Sequence, residues 1–145
     1  MNKEFEKNGY LISTDQSKLQ FDVIHNFLKT AYWSKGIAFE RVKKAAENSL
    51  CFGMYYKNEQ IGFARVITDY TSLAYIADVF ILKGHRGKGL SKWLMQVILS
   101  YPELKDIGKW ALRTADAHTL YGRFGFKTPT NLDTYMEYIP NKNKQ

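Results

Sequence analysis

The sequence predicts an α/β domain, a mixed sheet sandwiched with helices. Three observations predict it. Three strand-like segments follow one another between residues 50 and 82, apolar residues recur at helical spacing on either side of that run, and a glycine-bearing turn joins the third strand to an amphipathic helix. The 145 residues fit one domain, 1–145. A chain of that length buries roughly 68–70% of its unfolded surface, enough for a core without covalent staples.

Residues 10–14 read as the first strand. Asp15 is placed as N-cap of a helix running to about Ala31, in which Ile24, Phe27, Leu28 and Ala31 share a face. Trp33-Ser34-Lys35-Gly36 breaks the pattern, and a second helix covers residues 39–48. Residues 50–56 and 61–68 flank the polar turn Lys57-Asn58-Glu59-Gln60 and form a hairpin. The next strand, 73–82, is apolar on both faces except at Asp78, which makes it central and covered on both sides.

Lys83-Gly84-His85-Arg86-Gly87-Lys88-Gly89 follows, then a helix with Leu90, Trp93, Leu94, Val97 and Ile98 on one stripe; Pro102 ends it. Residues 109–114 read as a strand. Asp116 caps a short helix through Phe124, with Gly125 as its left-handed terminator. A last strand is expected at 135–139.

Composition narrows the function classes. The single cysteine, Cys51, excludes an intramolecular disulfide and reads as a buried strand residue, in keeping with a reducing cytoplasm. No run approaches the ~20 apolar residues of a membrane span. The N-terminal residues have no apolar signal-peptide region. The net charge of +7 is scattered apart from Lys43-Lys44, the group from Lys83 to Lys92, and Lys142 with Lys144. No helix-turn-helix, zinc-finger or RNA-recognition signature accompanies it, so no nucleic-acid partner is expected.

The Lys83–Lys92 group differs from the other charges because it surrounds glycines. Gly87 and Gly89 can take positive φ and let a ligand approach the backbone. The first amides of the following helix have no intrahelical acceptor and sit at the positive end of its dipole. With Lys83, His85, Arg86, Lys88 and Lys92 around it, this is an anion site suited to a pyrophosphate. Gly-x-Gly-x-x-Gly and Gly-Lys-Ser/Thr are both missing, which argues against a dinucleotide fold and a P-loop NTPase.

Arg86-Gly87-Lys88-Gly89-Leu90-Ser91, after the strand containing Asp78-Val79-Phe80-Ile81, resembles the acetyl-CoA signature of the GNAT N-acetyltransferase superfamily, Arg/Gln-x-x-Gly-x-Gly/Ala. Ser91 stands where that signature has Gly or Ala. Leu120-Tyr121-Gly122-Arg123-Phe124-Gly125-Phe126 is similar to the family's Leu-Tyr-x-x-x-Gly-Phe segment.

The resemblance implies a mostly antiparallel mixed sheet splayed between its fourth and fifth strands, with helices on both faces. It implies direct acetyl transfer from acetyl-CoA to a small-molecule or peptide amine. Val79, Phe80 and Ile81 would pair through their backbone with the pantetheine arm. Arg86, Gly87, Lys88, Gly89, Leu90 and Ser91 would hold the pyrophosphate.

Tyr121 is implied as general acid, since a phenol with a reference pKa of about 10 stays protonated at neutral pH. Packing is its other reading. Asp78 is either the base or the ion-pair partner of Arg65. Tyr32, Trp33 and Ser34, at the break between the helices, are implied to line the amine pocket, or Trp33 plugs the core. A catalytically silent acyl-CoA-binding module is the alternative reading, and a homodimer is compatible with the sequence.

Overall fold

The computed structural model describes residues 2–140, in two compact units: one up to Arg113, the other from Thr114. The first holds a sheet of β1 (Glu4–Lys7), β2 (Tyr10–Ser13), β3 (Leu50–Tyr56), β4 (Glu59–Thr68), β5 (Ala74–Ile81) and β6 (Trp110–Leu112), in that spatial order. Neighbours are antiparallel through β5, and β5 with β6 is parallel. The helices of this unit are α1 (Phe21–Leu28), α2 (Phe39–Glu47) and α3 (Leu90–Leu99). The second unit contains α4 (His118–Gly122).

The sheet is covered on both faces, as its two-sided apolar strands require. Ile24 and Leu28 of α1 and Val42 and Ala46 of α2 pack with Cys51, Phe63 and Phe80 on one face. On the other, Phe52 meets Tyr101 edge-on at 5.1 Å, next to the face of α3 that buries Leu94, Met95 and Ile98. Each large apolar side chain so buried contributes about 1.5–3 kcal/mol.

β1 is a strand the sequence reading lacks. Asn8 (φ 51°) and Gly9 (φ 84°) form a two-residue hairpin turn, and Asn-Gly is the strongest local signal for one. A second such turn, Lys57 (φ 49°) and Asn58 (φ 68°), lets β4 begin at Glu59, two residues earlier than expected.

Asp15 does not cap α1. Its carboxylate accepts from the Ser17 amide at 3.0 Å and closes a 3-10 turn at Gln16–Lys18; Leu19 and Gln20 are then extended, and α1 starts at Phe21. The helix start is held instead by a reciprocal pair. The Gln20 amide donates to Gln60 Oε1 at 2.8 Å, and the Gln60 amide donates to Gln20 Oε1 at 3.0 Å. α1 also ends three residues early, at Leu28, where a run of turns to Gly36 takes over.

Asp116 is likewise not the cap of α4. Ala117 stands there with no side-chain cap, and its amide donates to Thr114 Oγ1 at 2.9 Å. The other end matches the expectation at Gly125 (φ 96°), although the helix stops at Gly122 rather than Phe124. The Phe126 amide returns to the Tyr121 carbonyl at 3.2 Å, and the two rings meet edge-on at 6.1 Å. This is the backbone closure and apolar clasp of a helix end with a left-handed glycine. The Tyr-x-x-x-Gly-Phe spacing therefore has a structural cause of its own.

The strand expected at 135–139 does not form among the described residues. The Asp133 amide is taken by Asn131 Oδ1, and the Tyr135 amide turns back to the Leu132 carbonyl, so the chain enters this segment from a tight turn. Met136 and Tyr138 are 90% and 88% exposed.

Candidate functional site

β5 and β6 are the fourth and fifth strands of the sequence reading, shifted by one because of β1. Their register contains three pairs, Ala74 with Trp110, Tyr75 with Ala111 and Ile76 with Leu112, and there it stops. From Ala77 to Ile81 the β6-facing edge of β5 has no strand partner among the described residues. Val79, Phe80 and Ile81 lie on that stretch. Their main chain follows the open edge while the Phe80 ring stacks on Phe27 at 4.2 Å in the core.

The opposite edge of β5 is distorted at the same level. Phe63 pairs with Phe80 and Arg65 with Ala77, so Asp78 and Val79 together face the single residue Ala64. This is a β-bulge, and Asp78 takes φ 56°, a left-handed conformation uncommon for side-chain-bearing residues.

Asp78 is a junction. Its Oδ2 accepts from Arg65 Nε at 2.9 Å and its Oδ1 from Trp33 Nε1 at 3.1 Å. The ion pair is shielded, with side chains 16% and 15% exposed, and Arg65 also reaches Ser49 Oγ at 3.2 Å. The ion-pair reading of Asp78 is thus realised in the geometry. The same contact brings Trp33, from the turn after α1, onto the bulge. Trp33 is 44% exposed and meets Tyr32 edge-on at 5.1 Å. Ser34 faces the other way and donates to the Leu28 carbonyl at 2.7 Å, closing the end of α1.

Beyond β5 the chain makes a 3-10 turn, Lys83–His85, and Arg86 Nε folds back to the Ile81 carbonyl at 2.8 Å. Gly87 (φ 79°) and Gly89 (φ 75°) then turn the chain into α3. Nothing lies within 4 Å of where a Cβ would stand at either, so backbone conformation rather than crowding demands glycine there. Gly89 caps α3 without a side-chain acceptor, which leaves the first-turn amides of Leu90, Ser91 and Lys92 free of helical partners. Lys83, Arg86, Lys88 and Lys92, all exposed, add positive charge along this loop and the first turn of α3.

An open groove of ≈ 350 Å³ runs alongside α1, lined by Val23, Asn26, Phe27, Thr30 and Leu82. Among the described residues no group of carboxylates, histidines or cysteines could hold a metal ion, and no helix is long and apolar enough to cross a membrane.

The sequence pattern of the GNAT acetyltransferase family matches residues 21–126, most of the chain. The chain belongs to that family. A candidate GNAT acetyltransferase from Xanthomonas campestris pv. campestris has a solved structure 42% identical to this chain, covering 93% of this chain and 96% of that one, with a TM-score of 0.88. A candidate acetyltransferase of Gibberella zeae is 29% identical, over 83% of this chain and 80% of its own. A GNAT acetyltransferase from Elizabethkingia anophelis, crystallised with acetyl-CoA bound, shares the fold at 19% identity and a TM-score of 0.66, covering 92% of this chain and 89% of that one.

In this GNAT chain the proposed site residues fall into groups. Val79, Phe80, Ile81 and the Arg86–Ser91 loop are consecutive along one path, and Asp78, Trp33 and Tyr32 form a second cluster where the bulge begins. Tyr121 is buried in the second unit against Phe126. His118 and Asp116 are exposed. Cys51 is structural: burial pushes its thiol up to about 12, and Sγ donates to the Ala46 carbonyl at 3.3 Å. The groove residues Val23, Asn26 and Thr30 escaped the sequence reading, which had placed Phe27 on the core face only. Their signal was a second stripe at helical spacing, mixed in polarity, next to the core stripe of Ile24 and Leu28.

Proposed function

We propose that this acetyltransferase moves an acetyl group directly from acetyl-CoA, the co-substrate of its family, to an amine. The observation that carries the reading is the open edge of β5 from Ala77 to Ile81, leading straight into the positive-φ loop and the uncapped start of α3. An extended amide-bearing arm adds to such an edge as a further strand, and its pyrophosphate then meets the α3 amides. The residues therefore fit the group. Val79, Phe80 and Ile81 hold the arm through main chain. Arg86, Gly87, Lys88, Gly89, Leu90 and Ser91 hold the pyrophosphate.

Acetyl-CoA supplies an activated thioester. The chain aligns it with the amine, which by itself lowers the barrier by several kcal/mol. Backbone amides around the Asp78–Val79 bulge, displaced from regular pairing with β4, polarise the thioester carbonyl. Tyr32 and Trp33 present exposed aromatic surface to the acceptor, with Ser34 fixing their turn. Asp78 takes the ammonium proton, directly or through water, since each carboxylate oxygen keeps acceptor capacity after its bond to Arg65 or Trp33. Tyr121, at the motif position that serves as general acid, protonates the departing thiolate.

The test begins with thermal unfolding in excess acetyl-CoA, CoA, ATP and NAD. Ligand at 100 times its Kd stabilises by ~2.7 kcal/mol, a rise of roughly 5–10 °C for a domain of this size. A rise with both CoA species and none with NAD supports the reading; no response to either CoA species, confirmed by calorimetry, removes it. Against an amine panel, Tyr121→Phe should then lower kcat about 100-fold or more while leaving the Kd of CoA in place. Equal turnover would take the proton-donor role from Tyr121.

A further inference from the structure

We infer that His85 is a positioning residue of the CoA loop, anchored by the Tyr10 hydroxyl. The inference rests on the reading of that loop as the acetyl-CoA site.

The loop emerges from β5, yet its anchor lies in β2, three strands across the sheet. His85 Nδ1 and the Tyr10 hydroxyl are 2.8 Å apart, joining residues 75 positions apart in sequence. The imidazole stands edge-on to the Tyr10 ring at 5.7 Å and tilted against Tyr56 at 5.5 Å. Tyr10 and Tyr56 are a registered cross-strand pair with ring centroids 4.8 Å apart. His85 therefore sits against a rigid aromatic corner of the sheet. Lys83, Gly84 and residues 86–89 on either side of it are exposed. Among the described residues, and apart from Arg86 and its bond to the Ile81 carbonyl, this is the side-chain hydrogen bond that ties the glycine-rich turn to the sheet.

The hydrogen bond also sets the tautomer. The phenol is the stronger proton donor, and the imidazole nitrogen is its one hydrogen-bond partner among the described residues. Where the hydroxyl donates to Nδ1, the ring carries its N–H at Nε2. The loop thereby gains an N–H donor that needs no net charge. The physical consequence is pre-organisation: a loop already fixed in its binding shape loses less freedom when CoA arrives.

Tyr10→Phe deletes one oxygen and keeps the ring, so it isolates the tether from the packing. It should raise the Kd of CoA by calorimetry, and the KM of acetyl-CoA, roughly 3–10-fold, the loss expected for one hydrogen bond. The KM of the amine and kcat should stay within about twofold, a split that a general loss of folding would not give. His85→Ala should weaken CoA at least as much, and Tyr10→Phe should then add nothing. His85→Asn, which offers an amide oxygen near the Nδ1 position, should recover part of the affinity. Wild-type protein that binds CoA, with Tyr10→Phe and His85→Ala binding equally well, overturns the anchor and leaves the acetyl-CoA site standing. Wild-type protein that binds no CoA overturns both.

Discussion

The two sides of the sheet are built differently. β3 and β4 share seven registered pairs, bury both faces and fit so closely that a Cβ on Gly53 would lie 2.7 Å from Cζ of Tyr55. β5 and β6 share three pairs and part. One side spends its backbone groups and side chains on itself. The other leaves a strand edge, a bulge and a set of helix amides for something else to use. Substitutions on the closed side should therefore register as stability, and those on the open side as binding or turnover.

Gly53→Ala should have the largest effect on stability. Overpacking against the buried Tyr55 ring costs about 1–3 kcal/mol, several degrees of midpoint, and CoA affinity at a permissive temperature should not change. A matching loss of CoA affinity would break the distinction between the two sides. Asp78→Asn comes next and sharpens it, because Asp78 belongs to both accounts. Leaving the half-buried Arg65 without its counter-charge should cost about 1–2 kcal/mol, and turnover should fall beyond what that loss explains. If the pH–rate profile of Asp78→Asn follows the wild type, Asp78 is a structural anchor for Arg65 and Trp33 alone.

Tyr55→Phe should move stability the other way. The Tyr55 hydroxyl is buried without a hydrogen-bond partner among the described residues, so removing it should stabilise by up to about 1 kcal/mol. It should also relieve Gly53→Ala in part, since the hydroxyl is among the atoms that an alanine there would meet. The last effect is absent at neutral pH and appears only in alkali. Burial raises the Cys51 thiol from 9.0 to about 12, so the folded chain keeps its proton where the unfolded chain loses it. Its contribution is complete below pH ~9 and is lost as pH rises towards about 12. Cys51→Ala should flatten that part of the stability profile.

Periodicity made the helices and the β3–β5 run legible because apolar spacing encodes faces directly. The glycine loop was legible for a comparable reason: positive φ at Gly87 and Gly89 is a local demand that local residues declare. Capping was misread twice. Asp15 and Asp116 are plausible caps in isolation, but the partners that fix α1 come from Gln60, 40 residues away from Gln20. β1 was missed although Asn8-Gly9 announces its turn, because Glu4-Phe5-Glu6-Lys7 buries too little to show an apolar pattern. The strand expected at 135–139 had strand-favouring residues in Tyr135, Tyr138 and Ile139, and residue type says nothing of a partner. At the site, residue types offered Arg65 as an ion-pair partner for Asp78 and pointed to Trp33 apart from both. Their meeting depends on the bulge, which no spacing rule foretold.

That bulge has a bearing on how the chain tolerates change. Regular alternation would put Ala77 and Phe80, three residues apart, on opposite faces. The inserted residue places both opposite neighbours of one β4 face, Arg65 and Phe63. β5 is thus read in two frames: upstream of Asp78 it is set by pairing with β6, and downstream by the Phe80 ring in the core. The frame shift separates the two halves, so the stretch with the open edge keeps its own phase relative to the paired one. Deleting a single residue at 78 or 79 would restore one continuous frame with Phe80 still opposite Phe63, so the core face should survive while the carboxylate junction at Asp78 is lost or turned away from Arg65 and Trp33.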